Sequence, residues 1–186
     1  MLGNPETALD LGCGIGNEVA ILSSLGVTVT GLEKSSTRLD YALKQWGYLS
    51  NVKFVLGEAV DYLSSTRNTY DAIYSVWGAI WFTCPQILLP AALERLSPGG
   101  VLAFSQAPAI EGCYGAQGMY GSGFTGKSNP ILRWSYTVEA WYSILNQFGF
   151  EDIDARVVEA PDPEYVGTLI VRAKAPRASY KTAGRC

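Results

Sequence analysis

The stretch Leu9-Asp10-Leu11-Gly12-Cys13-Gly14-Ile15-Gly16-Asn17 sets three glycines at alternate positions directly after a short apolar run, with an acidic residue two places ahead of them. Glycines there let the backbone approach a ligand closely, and a helix starting just beyond offers N–H groups to an anionic group. Glu33, followed by Lys34, closes the next apolar run, 17 residues after Gly16. A carboxylate in that place can accept both hydroxyls of a ribose. No histidine is present, which removes the usual imidazole base, the Ser-His-Asp triad and most metal sites. Any general base is then Asp, Glu, Tyr, Cys, Lys or water. Glu111 and Tyr114 are candidates by position alone.

The elements that must position these groups are readable from periodicity. Short apolar runs alternate with longer amphipathic ones, which predicts a mostly parallel sheet covered by helices. Thr7 to Leu11, Val27 to Leu32, Asn51 to Leu56, Tyr70 to Trp77 and Val101 to Ser105 read as five strands. Tyr70 to Trp77 is nearly continuous in apolar and aromatic residues, as in a central strand. Helices are predicted over Asn17–Leu25, with an apolar stripe at Val19, Ile21, Leu22 and Leu25, and over Ser36–Tyr48 behind a Ser or Thr cap. Ala59–Ser64 and Pro85–Leu96 follow, the latter stopped at Ser97-Pro98-Gly99-Gly100. Pro108 to Trp134 shows no periodicity but carries six glycines interleaved with Tyr114, Tyr120 and Phe124, and reads as a long lid-like loop. Thr137 then caps a helix to Phe148, and Ile153–Glu159 with Tyr165–Ala173 read as an antiparallel hairpin on the sheet edge. Residues 1–175 are expected to form one domain and 176–186 a flexible tail.

Composition narrows the class. The chain has 186 residues, 48% hydrophobic and 17% charged, with 14 Lys and Arg against 17 Asp and Glu for a net charge of −3. A chain of this size buries roughly 70% of its unfolded surface, enough for a full core. There is no basic cluster to track phosphates, so nucleic acid is a poor partner. No run of about 18 apolar residues and no basic leader occur, which argues against a membrane or secretory role. Cys13, Cys84, Cys113 and Cys186 match neither zinc nor disulfide spacing, so no metal is expected and a reducing cytoplasmic setting is the default.

The G-x-G-x-G spacing with Asp10 two positions ahead resembles the first motif of the class I S-adenosylmethionine-dependent methyltransferases. It differs from the G-x-G-x-x-G of nicotinamide dinucleotide sites. Gly57-Glu58-Ala59 resembles that family's adenine-holding Gly-Asp-Ala, with Glu for Asp. The turn Leu96 to Leu102 resembles its entry into the fifth strand. The resemblance covers about residues 6–173 and implies a Rossmann-like α/β fold with seven strands in the order 3-2-1-4-5-7-6. It implies S-adenosylmethionine as cofactor, S-adenosylhomocysteine as product, and a crevice where strands one and four end side by side. The cofactor residues it implies are Asp10 at the methionine amine, Gly12, Cys13, Gly14, Gly16, Glu33, Lys34, Gly57, Glu58, Ala59, Ser75 and Val76.

Trp77, Trp81, Tyr114 and Tyr120 are the candidate acceptor contacts. Ser75-Val76-Trp77-Gly78 stands where enzymes methylating nucleobase or glutamine amino groups carry Asn/Asp-Pro-Pro-Tyr/Phe, which disfavours amino methylation of DNA. The aromatic surround, 12% Phe, Trp and Tyr overall, fits an uncharged or aromatic small molecule methylated at O, C or N, such as a secondary metabolite. Members of the family usually carry N-terminal helices over the cofactor, whereas this chain begins almost at its first strand. The lid, a second copy in a homodimer, or the rest of a longer protein would then cover the site. The alternative reading is a truncated or non-catalytic cofactor-binding or partner module. A nicotinamide-dependent oxidoreductase is the third.

Overall fold

Most buried strand residues in the first half of the chain are apolar, and they lie on both faces of the sheet, which requires helices above and below it. A computed structural model describes residues 2–120, 130–162 and 164–177. In chain order the elements are β1 (Thr7–Leu11), α1 (Asn17–Ser24), β2 (Thr28–Glu33), α2 (Ser36–Trp46), β3 (Val52–Leu56), α3 (Ala59–Ser65), β4 (Tyr70–Val76) and α4 (Ala79–Phe82). They continue with α5 (Pro85–Arg95), β5 (Leu96–Gln106), β6 (Gly115–Tyr120), β7 (Pro130–Ser135), α6 (Val138–Gln147), β8 (Glu151–Val158) and β9 (Thr168–Lys174).

Seven strands form one sheet in the order β3-β2-β1-β4-β5-β9-β8. The first five are mutually parallel, and β9 runs antiparallel to both β5 and β8. The expected order 3-2-1-4-5-7-6 is corrected in its last two numbers. The stretch expected to be loop contains a separate antiparallel pair, β6 with β7, so the edge hairpin becomes β8 and β9. That pair escapes a periodicity reading because its inner positions, Gly115, Gln117 and Met119, are only half-buried and of mixed polarity.

One face of the sheet packs Leu9, Leu11, Ile73 and Phe104 against Leu63, Leu88, Trp141 and Leu145 of α3, α5 and α6. On the other face Ala8, Val29, Ala72 and Tyr74 meet Val19 of α1. The expected stripe on α1 holds at Val19 and at Leu22, which packs against the same cluster, and is corrected at Ile21 and Leu25, which are exposed, while Ser23, one turn after Val19, faces inward. The reason is polar: Ser23 Oγ donates to Asn51 Oδ1 (2.7 Å), while Asn51 Nδ2 donates to the Ser23 and Val27 carbonyls (3.0 and 2.8 Å), clamping α1 to the start of β3. Ser35 caps α2 through Arg38 N, and Thr137 caps α6 through Ala140 N. Ser97 to Gly100 is an irregularity inside β5 rather than a turn ahead of it, with Tyr70 paired to Leu96 before the register shifts. The expected tail lies outside the described residues from position 178 onward.

Asp71 of β4 fixes the entry to β1. Its Oδ2 accepts from Glu6 N (3.1 Å), Thr7 N (3.0 Å) and Thr7 Oγ1 (3.1 Å), and its own N–H donates to Thr7 Oγ1 (3.1 Å). Burial pushes this carboxyl up, but the hydrogen bonds from Thr7 and Glu6 outweigh burial and hold it below the usual range. A depressed folded value means the stabilisation is present above the unfolded carboxylate value of about 4 and is lost as pH falls through the folded one. Asp71→Ala is expected to cost about 1–3 kcal/mol at neutral pH, and less once acid has protonated the parent. Urea unfolding at neutral and strongly acidic pH checks this; an equal cost at both would remove the charge from the explanation.

Candidate functional site

The glycine loop between β1 and α1 is held by the end of β2. Gly12 N and Cys13 N both donate to the Leu32 carbonyl (2.8 and 2.9 Å), and Gly16 N donates to the Cys13 carbonyl (2.9 Å). Gly14 N donates to Glu33 Oε2 (2.9 Å), and Ser35 N donates to Glu33 Oε1 (2.8 Å). Glu33 is 5% exposed and each of its oxygens retains lone-pair capacity. Gly57 N in turn donates to the Glu33 carbonyl (3.0 Å), so the turns after β1, β2 and β3 converge on one residue.

The glycines are needed for different reasons. Gly12 has φ +88°, and a Cβ there would lie 2.7 Å from Ala79 N, so the start of α4 packs directly on the loop. A Cβ on Gly78 would meet the Leu11 carbonyl at 2.5 Å and Ser75 Oγ at 2.7 Å, which seals the approach from the β4 side. Gly16 lies against Phe54 and Trp46. Gly14, at φ +56°, faces open space, the side from which a ligand could reach the loop.

Asp10 is 2% exposed, and its Oδ1 has no hydrogen-bond partner among the described residues. Its register partner on β4, Tyr74, brings a hydroxyl towards it, yet that hydroxyl too lacks a bond of ordinary geometry among the described residues. Burial, then the nearby Glu18 charge, push the Asp10 carboxyl well up. Burial and the Asp10 charge likewise push the Tyr74 hydroxyl and the Cys13 thiol up. A buried carboxyl short of a donor is a place for a cationic or N–H-bearing ligand group.

The remaining expected residues divide. Ser75 is buried, and its hydroxyl donates to the Leu11 carbonyl (2.7 Å) and accepts from Ile80 N (3.3 Å), so it is spent on joining β1 to α4. Ala59 points its side chain into the core, and Cys13 packs under Gly31. Lys34 and Glu58 are exposed and pair at 3.7 Å. Val76 and Trp77 are half-exposed at the lip, while Trp81 is buried beneath them with its ring edge-on to Trp77 at 5.3 Å. Trp77 adopts φ +51°, a left-handed conformation costly for a bulky residue, and its N–H donates to the Ser105 carbonyl (2.9 Å). Glu111 and Tyr114 do not join this group. They line a shallow hollow of about 270 Å³ with Tyr136, Thr137, Glu139 and Val157, beside β8 and the start of α6. The Tyr120 side chain lies outside the described residues.

Sequence reasoning missed Gly78, Gln106, Gln117 and Arg133. Gln106, fully buried at the end of β5, donates from Nε2 to the Trp134 carbonyl (3.1 Å) and leaves Oε1 without a partner among the described residues. Gly78, directly after the Ser75-Val76-Trp77 run, was the one of these with a sequence signal. Among the described residues no three His, Cys, Asp or Glu side chains gather as for a metal ion, and no helix is long and apolar enough to cross a membrane.

Residues 8–100, half the chain, match the family model described as methyltransferase domain. The chain belongs to this family. Among curated relatives it is 36% identical over 103 residues to the trans-aconitate 2-methyltransferase of Deinococcus radiodurans, covering 54% of this chain and 37% of that protein. The enzyme of that name from Delftia acidovorans is 30% identical over 105 residues, 55% of this chain and 38% of that one. The match thus spans less than two fifths of these relatives' length. A solved methyltransferase from Methanosarcina mazei superposes with TM-score 0.71 at 16% identity, covering 94% of both chains. A Burkholderia thailandensis 1,6-didemethyltoxoflavin-N1-methyltransferase with bound S-adenosylhomocysteine superposes with TM-score 0.68 at 20% identity, covering 94% of this chain and 73% of that one. At those identities the shared property is the fold.

The orphaned Asp10 carboxyl carries a stability consequence. A carboxyl whose folded value is raised opposes folding progressively as pH rises above its unfolded value of about 4. Asp10→Asn is therefore expected to stabilise the ligand-free chain by about 1–3 kcal/mol at neutral pH, with the gain shrinking towards pH 4. Denaturant melts of both chains across that range check it; a destabilised Asn variant at neutral pH would show that the ionised group is satisfied.

Proposed function

We propose that this chain binds S-adenosylmethionine over the ends of β1, β2 and β4 and methylates a small-molecule acceptor. The observation that carries the reading is Glu33, a buried carboxylate fixed by Gly14 N and Ser35 N at the mouth of a glycine loop whose outer side, at Gly14, is open. The residues fit the cofactor. Glu33 would accept the ribose hydroxyls, and Asp10 would receive the methionine amine directly or through water, which supplies the donor it lacks. Gly57, Glu58 and the N-terminal end of α3 at Ala59 would border the adenine, with Lys34 paired to Glu58 at its edge. Gly12, Cys13 and Gly16 act by shaping the loop. Ser75 and Val76 set the β4 wall.

When bound, the cofactor supplies a methyl group already activated on a positively charged sulfur. The protein is left with positioning and exclusion of water. Trp77, held out at the lip in its strained conformation, and Trp81 behind it form an aromatic wall on which an acceptor can seat. Glu111 and Tyr114 face the hollow beside β8 instead of the crevice, so a base role for them requires an acceptor reaching past β5. The relatives' names place methyl transfer to small molecules, trans-aconitate among them, within the range of matching chains. S-adenosylhomocysteine would be the product.

Calorimetric titration of S-adenosylmethionine into the purified chain tests the reading, with reduced nicotinamide dinucleotide as control. Stoichiometric binding of the first alone is expected. Glu33→Gln, which keeps the shape but cannot accept from Gly14 N, Ser35 N and a diol together, is expected to weaken the cofactor by about tenfold or more. Unchanged affinity in a folded Glu33→Gln chain would reduce Glu33 to a brace for the loop.

A further inference from the structure

Arg133 lies on β7, in the stretch whose sequence shows no periodicity, and its guanidinium stacks on the Trp81 ring at 5.6 Å from the centroid. Gln117 of β6 fixes it: Gln117 Oε1 accepts from Arg133 Nε (3.2 Å), while Gln117 Nε2 donates to the Cys113 carbonyl. The cation is thus held from one ring face and one edge, which leaves its terminal nitrogens to point elsewhere. No carboxylate lies within ion-pair distance of it among the described residues. The shortage is local, because the chain carries 17 Asp and Glu against 14 Lys and Arg, and no Asp or Glu falls in the residues outside the described set.

The location gives that unpaired charge a meaning. Trp81 is in contact with both Arg133 and the half-exposed ring of Trp77, and α4, which carries Trp81, begins against Gly12 of the glycine loop. Trp81 Nε1 is buried without an acceptor among the described residues, so this wall offers a second unused donor. A partly buried cation stacked on an aromatic ring, with a ring surface next to it and no acid opposite, suits a ligand with an oxyanion at one end and a flat or apolar body at the other.

We propose that Arg133 recognises the acceptor: the small molecule carries a carboxylate or related oxyanion that docks on the Arg133 guanidinium while its body lies against Trp77. This rests on the methyltransferase reading above for the word acceptor, and of the uncharged or aromatic acceptor expected from composition it keeps the aromatic alternative and adds an anionic group. The aromatic surround is retained, but a fixed cation stands inside it. The arrangement also ties ligand binding to the β6 and β7 pair, since the residue that would hold the anion belongs to that pair and the ring beneath it to α4.

The test uses the full chain and three probes, benzoate, its uncharged counterpart benzamide, and inorganic phosphate, followed by tryptophan fluorescence and calorimetry. Benzoate is expected to bind about tenfold or more tightly than benzamide, and Arg133→Gln to remove that preference, with Arg133→Lys between the two. Phosphate competing with benzoate in the parent and not in Arg133→Gln would support the oxyanion and assign it as phosphoryl. If Arg133 merely pins the hairpin to α4, Arg133→Gln lowers the melting temperature while anion affinity stays as in the parent, and the proposal falls. It falls equally if benzamide matches benzoate, or if neither benzoate nor phosphate binds at millimolar concentration. Should Arg133→Gln not fold, the benzoate-to-benzamide ratio of the parent and its behaviour in Arg133→Lys decide. S-adenosylhomocysteine titrated into the parent separately tests the cofactor crevice, so anion binding without cofactor binding would sink the methyltransferase reading and leave an anion site.

Discussion

The end of β2 is the constraint on which the site depends. A loop of three glycines has little reason to hold one shape, because each glycine gives up more conformational freedom than any other residue when fixed. Here the Leu32 carbonyl takes two of the loop's N–H groups and the Glu33 carboxylate a third. The turn after β3 is tied to the same residue through its carbonyl. Three turns on neighbouring strands are thereby set relative to one another by one residue, and the N–H groups of Gly12, Cys13, Gly14 and Gly16 are satisfied by the protein, while the first turn of α1 carries no side-chain cap. The loop is thus a shaped wall, and the open side at Gly14 with the uncapped start of α1 is what it leaves for a ligand.

The opposite wall is built by close approach. Gly12 and Gly78 permit backbone contact between the loop and the start of α4 at distances no side chain would allow, and the Ser75 hydroxyl bridges the same two segments. That contact sets where Trp77 and Trp81 stand. The strained backbone at Trp77 follows from the same geometry: the chain must turn from β4 into α4 within two residues, with its N–H committed to the Ser105 carbonyl. Strain at Trp77 and an unsatisfied carboxyl at Asp10 both lie beside the crevice. Each opposes folding, and each is the kind of feature that a bound ligand can relieve.

What was legible in the sequence was whatever depends on neighbours along the chain. The strand runs, the glycine spacing, the position of Glu33, a Ser or Thr cap ahead of α2 and the cap at Thr137 are local facts. What was hidden depends on partners far away. Ser75 is expected from the sequence among the cofactor residues, whereas its hydroxyl is bonded to the Leu11 carbonyl. Ile21 and Leu25 read as an inward stripe because apolarity was counted, whereas Ser23 faces inward for the sake of Asn51. A helix of four residues, α4, has no period to detect. Arg133 sits in a strand with no alternation, and its meaning comes from a ring many positions earlier.

This division has a functional side. Residues 8–100, the span that the family model covers, contain the glycine loop, Glu33, the turn at Gly57 and the aromatic wall of α4. Arg133, Gln117 and Gln106 lie beyond it, and so do β6 and β7. A methyl donor is the same molecule for every enzyme that uses it, so its binding places one set of demands on the chain. An acceptor differs from enzyme to enzyme, and a cation presented from a separate two-stranded pair can change without disturbing the loop that β2 holds. The buried Gln106 amide, which ties the end of β5 to the Trp134 carbonyl, is one joint between the two parts, and the Arg133 stack on Trp81 is another. Through these the main sheet is connected to the two-stranded pair on which a particular acceptor would be read.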